Sequence, residues 1–224
     1  AEKFARNPIG SGPFSLLDWS SGRVYFTKYS EAWRAPILDN LELVAAAEAS
    51  TRVQGLLSGR LDVSVQLGPD EISIIEMNGH KVVVGVDPSM QVLAFVTTKN
   101  SPLQDIRIRQ ALNYAINREN IAQGLLGGHV KMATQTAPSF AFGFDPSIKI
   151  WPYDPVKARQ LLEEAGYPNG FEFTGEILLG AAAYSHQVYQ QIAADLSKIG
   201  VGLTLRLIPA AQYARGVYQG DWAG

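Results

Sequence analysis

DPVKARQLLEEAGYPNGFEFTGEILLG, residues 154–180, sets the architecture because a complete helix and the strand it feeds can both be read from it. Asp154 stands where an N-cap accepts a free backbone N–H, and Pro155 fills the first helical position, where its missing N–H costs nothing. Ala158, Leu161, Leu162 and Ala165 then recur at the spacing of one buried stripe, while Lys157, Arg159, Glu163 and Glu164 take the wet side. Gly166 supplies a left-handed stop and Pro168 prevents resumption. The helix therefore ends cleanly and delivers the chain into the strand-like GFEFTGEILLG.

The same logic places the neighbours. Ser185 is positioned to cap HQVYQQIAADLSKIG, with Tyr189, Ile192, Ala193 and Leu196 inward and Gly200 as the stop, before the strand VGLTLRLI. Asp105 caps IRIRQALNYAI, where Ile108, Ala111, Leu112 and Ala115 keep the helical period, and Asn117 opens a further helix through Leu126. TRVQGLLSG (51–59) and DEISIIEMNG (70–79) read as helices. RLDVSVQL (60–67), KVVVGV (81–86) and FSLLDW (14–19) read as strands, the last entered through the turn IGSGPF. Helices and strands intermix throughout, so the expected class is α/β, an α+β mixed sheet with flanking helices. Residues 127–153 carry Gly, Pro and the aromatics Phe140, Phe142, Phe144, Trp151 and Tyr153 without a period, as a long functional loop does. Trp19 and Trp33 read as packing residues, and Trp151 as either packing or surface.

Composition narrows the function. The 224 residues are 46% hydrophobic and carry 19 Lys+Arg against 21 Asp+Glu, a formal charge of -2. They hold enough apolar material for a sizeable core and lack the basic stripe of a nucleic-acid binder. The absence of cysteine removes thiolate nucleophiles, disulfides and cysteine-based zinc sites. No apolar run approaches the roughly 20 residues of a membrane span, and no signal core opens the sequence, so an export address would lie outside these residues. His80, His129 and His186 stand far apart and form no metal-ligating pair, Glu163 and Glu164 share a solvated face, and Arg107 and Arg109 read as helix cover or partners of acids. No nucleophile–base motif is present, and no metal or cofactor is expected.

Five ordered blocks, NPIGSGPFSLLDW, LLSGRLDV, SPLQDIRIRQALNYAINRENI, WPYDPVKARQLLEEAGYPNGF and QIAADLSKIGVGLTL, carry a family resemblance. Together they resemble the extracellular solute-binding proteins of the dipeptide/oligopeptide/nickel class (family 5) that feed ABC importers. Glutathione-binding and dipeptide-binding members show particularly similar stretches. The resemblance implies a chain of roughly twice this length built as two lobes of the class II type. Residues 1–224 would be the second, C-terminal lobe, and the first lobe would be absent from this chain. It implies a periplasmic protein, or an extracellular, lipid-anchored one, that closes on a small peptide, a glutathione-like compound, an opine or a related polar solute and presents it to permease subunits. No nucleic acid and no direct membrane insertion enter this reading.

By the same resemblance, ligand contacts come from loops on the cleft edge. DPSMQV leading into LAFVTTKN, APSFAFGF, and LLGAAAYSH supply the candidates Gln91, Ser139, Phe140, Tyr184 and His186. Thr97 or Thr98 stands where many relatives carry Asn, and GAAAYSH lacks the Arg that dipeptide binders use for a carboxylate, which argues against a free dipeptide. Two other classes stay open. One is a hydrolase with catalytic groups outside these residues; the other is an interaction module docking through the aromatics of residues 140–153.

Overall fold

The computed structural model describes residues 8–85, 90–179 and 184–222. The backbone gathers into two compact units, one ending at Val65 and one beginning at Gln66.

The first unit is an antiparallel meander of β1 (Phe14–Ser20), β2 (Arg23–Lys28) and β3 (Asn40–Val44), followed by helix α1 (Ala49–Leu57). Register explains its two faces. Trp19, Val24 and Leu43 lie opposite one another across the strands, as do Leu16, Phe26 and Leu41, so the apolar residues share one face. Asp18, Tyr25 and Glu42 form a row of the other, where Arg23 pairs with Glu42. Trp19 and Trp33 are not packing residues: they are 59% and 84% exposed, and Trp33 donates through Nε1 to the Ser11 carbonyl at 3.2 Å.

The second unit contains helices α2 (Pro69–Met77), α3 (Ile106–Ala115), α4 (Pro155–Glu164), α5 (Ser185–Ser197) and α6 (Ala210–Gln219) with strands β4 (Glu172–Leu178) and β5 (Gly202–Ile208). Its core is the meeting of the stripes read from the sequence. Ile108, Ala111, Leu112 and Ala115 of α3 are fully buried against Ala158, Leu161 and Leu162 of α4 and Val188, Ile192 and Leu196 of α5. The α4 cap forms as its residues require: the Asp154 carboxylate accepts the Lys157 N–H at 2.8 Å, and the Asp154 N–H donates to the Tyr114 carbonyl at 2.8 Å, tying α4 to α3. Asp154→Ala is expected to lower the urea midpoint of the full-length protein by the equivalent of about 1 kcal/mol without changing the slope.

β4 and β5 pair in parallel, from Glu172 opposite Gly202 to Leu178 opposite Ile208, with α5 as the crossover between them. The helix expected from Asn117 to Leu126 forms a π-helical turn at Asn120–Leu125, with Leu126 donating to the Ile121 carbonyl at 3.0 Å. Two expected strands do not form among the described residues. Residues 60–67 and 81–85 have no ladder partner there, and Val63, Val65 and Val83 are 74%, 66% and 78% exposed. β-branched composition favours a pleated, half-buried surface and cannot make a strand where no neighbour supplies one. No helix among the described residues is long and apolar enough to cross a membrane.

Candidate functional site

Because β4 and β5 run parallel, their carboxyl ends fall on one edge, and the chain leaving β4 enters α5 from that edge. Open α/β sheets place ligands there, since strand ends and helix N-termini converge on it. A small cleft of about 50 Å3 lies at the start of α5. Its wall comprises Gly68, Pro69, Asp70 and Glu71 at the start of α2, Leu125 and Leu126 at the end of the π-helical turn, and Tyr184 and Gln187 at the start of α5.

The two helix starts differ electrostatically. In α2, Glu71 Oε2 accepts the Gly68 N–H at 2.8 Å, and Asp70 and Glu71 place negative charge in the first turn, which answers the positive end of the helix. In α5 the cap position is Tyr184, not Ser185 as expected, with no side-chain cap bond and no acid in the first turn. Ser185 is instead the first helical residue; it is 2% exposed, and its hydroxyl has no hydrogen-bond partner among the described residues.

Of the five nominated residues, Tyr184 is half-buried in the cleft wall, and His186 is exposed on the first turn of α5, beside the wall rather than in it. Gln91 is exposed one residue before Val92, whose carbonyl accepts the Tyr189 hydroxyl of α5 at 2.9 Å. Burial of that phenol, followed by the influence of Tyr213, pushes its pKa above the ordinary tyrosine value. Ser139 and Phe140 are exposed and do not line the cleft. Their loop is nonetheless organised: Gln135 donates to the Asp145 carbonyl at 2.8 Å and accepts the Asp145 N–H at 3.0 Å. The Ser147 hydrogen bonds hold the Asp145 carboxyl below its usual range, with Ser147 N–H at 2.8 Å. Trp151 meets Tyr114 edge-on at 5.0 Å, and Phe140 and Phe142 point outward. Residues 87–89 and 180–183 of the two other nominated loops lie outside the described residues.

Sequence reading missed Gly68–Glu71, Leu125, Leu126 and Gln187. Residues 70–79 and the stretch through Leu126 were read only as helices, and nothing local marks their ends as cleft wall. Arg107 and Arg109 behave as read: Arg107 pairs with Asp105 at 2.6 Å and caps α4 at the Glu164 carbonyl at 2.7 Å, and Arg109 donates to the Leu103 carbonyl at 2.8 Å. Asp105 is held below the ordinary carboxylate value first by the Arg107 side-chain hydrogen bond.

Comparison with known proteins agrees with this architecture. The chain is 32% identical over 214 residues to the glutathione-binding protein GsiB of Shigella flexneri serotype 5b (strain 8401), covering 93% of this chain and 41% of that protein. It thus spans less than half the length of the curated relatives it matches. Among solved structures it resembles MoaA in complex with mannopinic acid from A. tumefacien R10, at 28% identity and a TM-score of 0.77 over 96% of this chain and 44% of that one. NikZ of Campylobacter jejuni in complex with Ni(L-His), at 23% identity and a TM-score of 0.79 over 96% of this chain and 45% of that one, shares the fold. The model of the bacterial extracellular solute-binding proteins, family 5 Middle, matches residues 1–223, and the chain belongs to that family.

Proposed function

We propose that the full-length protein is the periplasmic or extracellular substrate-binding component of an ABC importer. It takes a small peptide or peptide-like polar solute in an interlobe cleft by hinge closure. The unit beginning at Gln66 carries one wall of that cleft, and the remainder of the full-length protein supplies the counterpart. The observation that carries the reading is the convergence of two helix starts, a leucine pair and the half-buried Tyr184 at the carboxyl edge of the β4–β5 pair. Apolar surface with a few oriented polar groups is what a solute site consists of. Family membership and the ligands named for the relatives support a peptide-like, glutathione-like or opine-like solute. Tyr184 is the contact argued most directly; Gln91 and His186 flank it, and Ser139 and Phe140 contribute from the aromatic loop if that loop closes over the solute.

Closure follows from differential binding. A solute touching both walls stabilises the closed state by contacts the open state lacks, and the permease reads the closed form. No bond is made or broken in this scheme, so the solute leaves unchanged.

The test is thermal unfolding of the full-length protein with glutathione, the dipeptide Met-Leu and mannopinic acid, together with mass spectrometry of molecules released on denaturation. A compound at about a hundred times its Kd adds about 2.7 kcal/mol and raises Tm by several degrees. The expected result is stabilisation by at least one compound, which is recovered intact. Stabilisation by none, with no small molecule released, overturns the reading, and recovery of a cleaved product favours the hydrolase.

A further inference from the structure

An asparagine followed by glycine can rearrange by itself, because glycine has no Cβ to keep its backbone nitrogen away from the asparagine amide carbon. The sequence holds two such pairs, Asn78-Gly79 and Asn169-Gly170. Both asparagines are exposed, and the glycines have φ +79° and +76°. In each pair the nitrogen that would attack is engaged: the Gly79 N–H donates to the Glu76 carbonyl at 2.9 Å, and the Gly170 N–H to the Tyr167 carbonyl at 3.0 Å. Reaction therefore waits on local opening, and the cost of opening separates the two sites. Asn78 ends α2. Of the described residues of that helix only Ile75 is buried, Ile74 and Met77 are exposed, and nothing among the described residues lies within 4 Å of where a Gly79 Cβ would stand. A nine-residue helix so lightly packed frays at its end at little cost. Asn169 lies in the turn between α4 and β4, flanked by Tyr167 and Phe171, whose rings meet at 5.5 Å and pack against the core. Directly after it the Gly202 N–H donates to the Phe171 carbonyl at 2.9 Å, where the β4–β5 ladder begins. Opening that turn breaks core packing and ladder together.

We infer that Asn78 is a self-modification site, at which the folded full-length protein deamidates while Asn169 is spared. The Gly79 nitrogen, losing its proton to solvent, attacks Cγ of Asn78. The Cγ–Nδ2 bond breaks, and the amide nitrogen leaves as ammonia with a proton from water. A second water then adds to either carbonyl of the succinimide ring and opens it to aspartate or isoaspartate, so the net change is water consumed and ammonia released. The product is a poorer helix end. Asn78 Nδ2 donates to the Ile74 carbonyl at 2.8 Å, whereas a carboxylate cannot donate and brings negative charge to the negative end of the macrodipole. The same short helix begins with Pro69, Asp70 and Glu71 in the cleft wall, so the wall loosens as the molecule ages. The inference does not depend on what the cleft binds.

The test is incubation of the full-length protein for weeks in mildly alkaline, ammonia-free buffer, with peptide mapping by mass spectrometry and enzymatic methylation to score isoaspartate. Asn78 is expected to convert at least about tenfold faster than Asn169, to a mixture of aspartate and isoaspartate. In concentrated urea, where neither opening cost remains, the two rates should converge. Asn78→Asp supplies one product directly. In that variant the Gly79 and His80 amides, which donate to the Glu76 and Ile75 carbonyls, are expected to exchange with deuterium at least about tenfold faster, the combined size of a lost hydrogen bond and an adverse dipole. The amides of β5 should keep their protection. Equal rates at the two sites in the folded protein, a faster Asn169, no conversion of Asn78, aspartate without isoaspartate, or unchanged exchange at Gly79 and His80 in Asn78→Asp each overturn the proposal.

Discussion

Alanine at position 170 is expected to cost the full-length protein about 4 kcal/mol, among the largest effects available to a single methyl group. Gly170 has φ +76°, a conformation that strains any residue with a Cβ. The steric term is larger. A Cβ built there would lie 1.9 Å from the Gly200 carbonyl oxygen and 2.3 Å from its carbon, and both are backbone atoms that cannot swing away. The close approach has a purpose: immediately after it the Gly202 N–H donates to the Phe171 carbonyl at 2.9 Å and the β4–β5 ladder begins. Separating the two turns would move the start of the only parallel pair among the described residues, at whose other end the candidate site lies. Gly200→Ala is the control. Its φ is +82°, but its nearest contact is 3.1 Å to the Asn169 carbonyl oxygen, so it is expected to cost about 1–2 kcal/mol, mostly strain. Urea unfolding of both variants decides the matter, and a Gly170→Ala midpoint no lower than that of Gly200→Ala would remove the close approach as the cause.

Those two glycines show where sequence reading succeeds and stops. Gly166 and Gly200 were legible as helix stops, because a periodic apolar stripe ends just before each. The need for glycine at 170 was invisible, because the atoms it accommodates belong to a turn thirty residues away. Helices α3, α4 and α5 were legible for the same reason as their stops: each encodes its buried face locally, and those faces became the core. Strands were less legible. RLDVSVQL and residues 81–85 have the right residues and no ladder partner among the described residues, because a strand is defined by a neighbour that its own sequence cannot supply. The candidate site divides along the same line. Tyr184 lay in a loop leading to a helix start, a local feature, whereas Asp70, Leu125 and Leu126 joined it only through the tertiary fold.

Asp195 is the second position where one side chain is expected to decide much of the stability. An acid on a helix reads as solvated, yet this one is 1% exposed, on the face of α5 that carries Ile192 and Leu196. It accepts the Asn117 N–H at 3.0 Å, Gln191 Nε2 at 3.2 Å and Lys198 Nζ at 2.8 Å. The three bonds are unequal. Lys198 is 52% exposed, so its pairing is screened by water and adds little. The Asn117 bond joins α5 to the junction between α3 and the π-helical turn, with the acceptor in the core. Asp195→Ala is therefore expected to cost about 3–4 kcal/mol, from an unsatisfied donor together with a cavity. Lys198→Met is expected to cost less than about 1 kcal/mol. The pH dependence separates them further. The Asp195 hydrogen bond is the first cause raising Lys198 above the ordinary lysine value, so whatever Lys198 contributes is complete below that value and is lost as pH rises through the higher folded one. The alkaline loss should vanish in Lys198→Met and the neutral-pH deficit of Asp195→Ala should not. Equal deficits in the two variants at neutral pH would show that the exposed ion pair, and not the buried tie to Asn117, holds α5 in place.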